Sequence, residues 1–168
     1  MSSTVSFFAT VRSEKVDIVI NCGASCRLKG NIQSIEISFV VHSTEDEDRI
    51  KNSVRRLVGW EAEMNQEKLD GHHGNKILKI SIHATGNVAA AVFERIVAGF
   101  SRESKREIAS SMRMMMDEHS ALYLRLNKQS LVCGRIELGG NETVRVKVKP
   151  RLFQLKQGAE GFYRSVFA

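Results

Sequence analysis

Apolar and polar residues alternate from Ile35 onward: Ile35, Ile37, Phe39 and Val41 are separated by Glu36, Ser38, Val40 and His42. A period of two is that of a strand with one face buried. Beyond it, Ile50, Val54, Leu57 and Val58 recur at the spacing of a single helical stripe. Ser43 stands where an N-cap belongs, and Glu45, Asp46, Glu47 and Asp48 bring negative charge to the positive end of the helix dipole. Arg55 and Arg56 suit the last turn, and Gly59 suits a left-handed C-cap.

Trp60, Ala62 and Met64 alternate as a second strand would, and Leu69 to Asn75 has the composition of a turn. Leu78, Ile80 and Ile82 mark a third strand. Asn87 is placed to cap a helix bearing Val88, Val92, Ile96 and Phe100. Ser101 or Ser104 offers a fresh cap before Ile108, Met112, Met115 and Met116, so two helices, or one broken near Gly99, are expected. Leu122, Leu124 and Leu126 alternate again, and residues 131–138 suggest a shorter strand before the turn at Gly139-Gly140-Asn141. Val144, Val146 and Val148 then face one way and Arg145, Lys147 and Lys149 the other, until Pro150 ends the strand. The order β-α-β-β-α-α-β-β-β with short connections predicts an α+β fold. Its sheet is mostly antiparallel, with helices packed on one face as a single pair of layers. Residues 1–32 lack clear periodicity and read as an appendage, residues 33–153 as the domain, and residues 154–168 as a C-terminal tail.

Composition narrows the function classes. With 168 residues and 42% hydrophobic content there is enough apolar surface for a core. No apolar run reaches the roughly 18–20 residues that span a bilayer, and the first residues lack the layout of a signal peptide. Three cysteines cannot close into a set of disulfides, which suits a reducing cytoplasm. The net charge of +6 is located more tellingly than it is large: residues 121–168 hold nine basic and three acidic side chains, so the whole excess lies there. That asymmetry points to an anionic partner.

Arg145, Lys147 and Lys149 are the sharpest candidates. Alternate residues on a strand stand roughly 6.6–6.8 Å apart, close to the spacing of a phosphate backbone. The alternative reading is a solvated outer face that discourages edge pairing. Arg125, Lys128, Arg135 and Arg151 extend the candidate nucleic-acid surface, and Tyr123 could stack a base. His72, His73 and Asn75, in the glycine-flanked loop, join them as candidate RNA contacts. Adjacent histidines diverge and have no partner at a metal-ligand spacing, so no metal site is expected. No nucleophile, base and orienting group stand out, and neither a P-loop nor a dinucleotide fingerprint is present, so neither catalysis nor a cofactor is expected. The methionines at 112 and 114–116 suit adaptable packing or a groove for a partner.

Three ordered blocks carry a family resemblance. The run from Ile35 to Asp46, the loop Leu69-Asp70-Gly71-His72-His73-Gly74-Asn75 and the block from Leu122 to Gln129 resemble an archaeal RNA-binding protein family described as a predicted exosome subunit. His73 stands where that family's loop signature has an aromatic residue. The resemblance runs from about Ile35 to about Phe153. It implies a compact α+β domain akin to the large-subunit ribosomal protein that contacts the five-S rRNA. It also implies RNA binding without catalysis, near the exosome or ribosome biogenesis. The competing expectation is an assembly factor that docks on those particles through protein surface alone.

Overall fold

The computed structural model describes residues 28–59, 63–70, 76–152 and 158–168. Strand β1 (Ile32–His42) lies at the centre of the sheet, with Ile35, Ile37, Phe39 and Val41 buried on one side. β2 (Asn65–Asp70), β3 (Lys76–Thr85), β4 (Leu122–Asn127) and β5 (Thr143–Pro150) complete five strands in the order β2-β3-β1-β5-β4, every neighbour antiparallel. β2 begins at Asn65, one residue past Met64, and takes in Leu69 and Asp70, assigned above to a turn. All six of its residues are exposed, so as an edge strand it carries no apolar period to be read. Residues 60–62 and 71–75, and with them His72, His73 and Asn75, lie outside the described residues.

Helix α1 (Glu47–Val58) buries Ile50, Val54, Leu57 and Val58, the expected stripe. Its cap is Asp46 rather than Ser43: the Asp46 carboxylate accepts from the Arg49 N–H at 3.0 Å. The turn before it is closed by Glu45, whose carboxylate accepts from the His42 N–H at 2.9 Å, and the helix therefore starts later. Gly59 takes φ +79 and donates its N–H to Arg55 O, as a left-handed C-cap does.

Helix α2 (Gly86–Gly99) lies against β1 and buries Ala89, Val92, Phe93 and Ile96. Asn87 falls inside its first turn and Thr85 holds the cap position, while Val88 is 49% exposed. The chain breaks at Phe100 and restarts as α3 (Arg102–Ser111), where the Ser101 side chain accepts from the Ser104 N–H at 3.1 Å. A 3-10 turn follows over Met112–Met115.

The strand expected over residues 131–138 is replaced by a short helix, α4 (Lys128–Val132). Asn127 caps it by accepting from the Ser130 N–H at 3.1 Å, and Gly134 ends it with φ +78. One bridge, Leu138 to Leu126, is all that remains of the expected pairing. Within the stretch read as a tail, the described residues 158–168 pack against the core. Helix α5 (Gly158–Phe167) buries Ala159, Phe162, Tyr163 and Phe167. Phe93 meets Tyr163 and Phe167 edge-on, with ring centroids 6.2 and 6.0 Å apart, a favoured aromatic geometry. The Tyr163 hydroxyl donates to Val148 O at 3.0 Å, tying α5 to β5, and burial raises its pKa. Leu28 and Ile32 are also buried in this core, so the folded unit begins before residue 33. The described helices cover one face of the sheet, and among the described residues the other face is open, as the α+β layer reading requires.

A candidate nucleic-acid interface on the open sheet face

Val144, Val146 and Val148 of β5 are fully buried, which fixes Arg145, Lys147 and Lys149 on the open face. Burying such a side chain contributes about 1.5–3 kcal/mol, so the same apolar contacts that hold the strand also aim its cations. The register of β4 against β5 sets Arg125 opposite Arg145 and Tyr123 opposite Lys147. On the other side of β5, Glu36 faces Lys147, Ser38 faces Arg145 and Ser34 faces Lys149. Side chains directly opposite on neighbouring strands stand about 4.5–5.5 Å apart at Cβ, and like charges there repel. Arg125 and Arg145 are such a pair, and Glu36 is the one carboxylate entering their neighbourhood from the paired positions of β1.

The far half of the face differs. Lys79 of β3 pairs with Glu67 of β2 at 3.2 Å, and Ser81 faces Asn65. Charge is balanced there. Among the described residues of this face, the excess of cations over carboxylates lies on the β5–β4 half.

Tyr123 is held in a small cluster. Its hydroxyl donates to Asp117 Oδ2 at 3.0 Å, and the Lys147 ammonium lies 4.9 Å from its ring centroid, a cation–π contact. Asp117 Oδ1 accepts from the backbone N–H groups of His119 (3.0 Å) and Ala121 (2.8 Å). Partial burial opposes ionisation of Asp117, but these donors and Lys147 outweigh it and its pKa is lowered. The Lys147 pKa is raised, chiefly by the contact with Tyr123 and further by Asp117 and Glu36. The ring that sequence alone offered as a stacking platform instead places an ammonium. Next to it, Lys147, Lys149, Arg151, His119 and Gln33 line a shallow depression of about 700 Å³. Nothing in the spacing of Asp117 and Tyr123 along the chain pointed to this arrangement.

One expected contact falls elsewhere. Lys128 is buried, not on the polyanion surface: its ammonium donates to Val40 O at 2.9 Å and to Glu45 at 2.7 Å, and it pairs with the Glu142 carboxylate at 2.8 Å. Arg135 follows α4 in a loop, and Glu137 lies 3.7 Å from its guanidinium. Arg151 follows β5, exposed, with its backbone N–H on Asn31 O. His42, Glu45 and Glu142 bring ligand-type atoms within 4.8 Å of one another, but the two carboxylates already share the Lys128 ammonium. A metal would have to displace that cation.

Comparison with known proteins places this chain in a family. An uncharacterized protein of Methanocaldococcus jannaschii is 24% identical over 139 residues, covering 77% of this chain and 91% of that protein. A protein of Pyrococcus abyssi named as RNA-binding is 23% identical over 141 residues, 79% of this chain and 92% of its own length. The crystal structure of an Archaeoglobus fulgidus protein superposes with a TM-score of 0.68 at 27% identity, covering 80% of this chain and 99% of that one. No described helix is long and apolar enough to cross a membrane. Residues 34–150 match the protein family described as RNA binding, and this chain belongs to that family.

Proposed function

We propose that this protein binds RNA by laying a stretch of phosphate backbone across the β5–β4 half of the open sheet face, as a binding protein and not an enzyme. The observation that carries this reading is the convergence of Arg125, Arg145, Lys147 and Lys149 on one face, with Arg125 and Arg145 directly opposed. Such a pair repels itself until an anion covers it. Family membership supports the choice of RNA as that anion.

Phosphate contacts position a nucleic acid without reading its sequence. Four to five of them give log K a slope against log salt of roughly −3 to −5. On single strands each contact is worth about 0.7 log unit per tenfold change in salt, or roughly fivefold between 0.1 and 1 M. Reversing Lys147 and Lys149 to Glu removes two, so affinity at 0.1 M salt should fall at least about 25-fold and the slope by about 1.4. The loss should be similar for unrelated RNA sequences. Titration of labelled RNA at several salt concentrations measures both quantities; a flat salt response in the unaltered protein would refute the proposal. Association with RNA-degrading or ribosome-assembly particles is a further part of the proposal. It rests on the resemblance of the Ile35–Asp46 and Leu122–Gln129 blocks, and a nuclease-resistant pull-down of those particles tests it.

A further inference from the structure

We propose that the methionine-lined groove at the β4 edge receives an unstacked base of the bound RNA, so that the ligand is single-stranded or looped RNA and not continuous duplex. The inference rests on the phosphate reading above and deepens it. Met114, Met115, Met116, Tyr123, Arg125 and Leu138 line a groove of about 480 Å³. Tyr123 and Arg125 belong at once to this groove and to the cationic face, so a strand held on Arg125, Arg145 and Lys147 passes its mouth.

Three features select a base as occupant. Met114 is 90% exposed, the most exposed of the large apolar side chains described, and it has no packing role to explain it. Its thioether is polarisable and makes favourable contacts with aromatic rings, while its flexible stem adapts to rings of different shape. A groove of this volume suits one planar ring; an amphipathic helix would need anchors spread over two turns. The tyrosine is already committed, with Lys147 over its ring and its hydroxyl on Asp117. Base contact therefore moves from the aromatic residue to the methionines and the Arg125 guanidinium beside them. A base reaches the groove only when it is out of a helical stack, the state in which proteins usually contact RNA bases.

The test compares three labelled RNAs of equal phosphate number: a single strand, the same strand with abasic riboses, and a perfect duplex. Each is titrated against the unaltered protein and Met114→Ala, whose exposed site leaves the fold intact. The single strand should bind roughly 2- to 10-fold more tightly than its abasic counterpart. Met114→Ala should remove most of that advantage, leaving abasic affinity and the salt slope unchanged. Equal affinity for the three RNAs, or an equal effect of Met114→Ala on strands with and without bases, overturns the groove assignment while a steep salt slope keeps the phosphate reading. Absence of salt-dependent binding to any of the three overturns both.

Discussion

Replacing Lys128 with Met should cost this protein more than any substitution on the cationic face, although Lys128 contributes nothing to that face. Its side chain is 3% exposed, and its ammonium holds the Glu45 carboxylate, the Glu142 carboxylate and the Val40 carbonyl. Removing one partner of a buried ion pair costs about 3–5 kcal/mol, mostly from the charge left behind. Glu142 is 40% exposed and regains water, whereas Glu45 is 13% exposed and does not. The expected loss is therefore near the lower end, about 3 kcal/mol at pH 7, or a fall of about 6–12 °C in Tm. Urea unfolding followed by circular dichroism measures it. Burial raises the pKa of Glu45, but the His42 N–H and Lys128 outweigh it and the folded value lies below normal. A depressed carboxylate stabilises above its unfolded pKa of about 4.3 and loses that contribution as pH falls through the folded value. In Lys128→Met the sign reverses, because burial without the cation raises the Glu45 pKa. The variant's deficit should then shrink between pH 7 and about 4.3, and adding Glu45→Gln should recover part of it. A loss under about 1 kcal/mol, or a deficit that does not change over that range, would refute this account of the cluster.

Phe167→Ala should destabilise by about 3–5 kcal/mol, because Phe167 packs edge-on against Phe93 and lies in the core; thermal unfolding checks it, and a loss below about 1 kcal/mol would show α5 to be dispensable. Gly59→Ala should cost about 1–3 kcal/mol from the left-handed φ of +79 and displace the Arg95 guanidinium from its bond to Val58 O, an effect visible in denaturant midpoints and in the Arg95 side-chain NMR signals.

Elements with one buried face were readable because burial writes a period into the chain. β1, α1, β3, β4 and β5 follow that period, down to the left-handed Gly59 and the split of β5 into valines and cations. β2 carried no such signature because both of its faces are exposed. The stretch from Leu131 had apolar residues enough for a strand, yet Asn127 captured the Ser130 N–H and started a helix, a local contest that composition does not decide. α5 was legible in retrospect: Ala159, Phe162, Tyr163, Val166 and Phe167 recur at i, i+3, i+4, i+7 and i+8. For the site, side-chain alternation placed each cation on its own strand, but not Arg125 opposite Arg145 or Tyr123 opposite Lys147. Those relations arise from pairing strands about twenty residues apart. Lys128 was misplaced for the same reason: lysines are rarely buried unless paired, and its partners are 83 residues before it and in the turn ahead of β5.

Along β5 the valines that seal the interior and the cations offered to solvent are interleaved one by one. A single inserted or deleted residue there would exchange the two sets, driving Arg145, Lys147 and Lys149 inward and exposing Val144, Val146 and Val148. Folding and ligand capture would fail in the same step. A substitution at one outward position alters ligand capture alone and leaves the interior sealed, whereas a change of length within the strand strikes both at once.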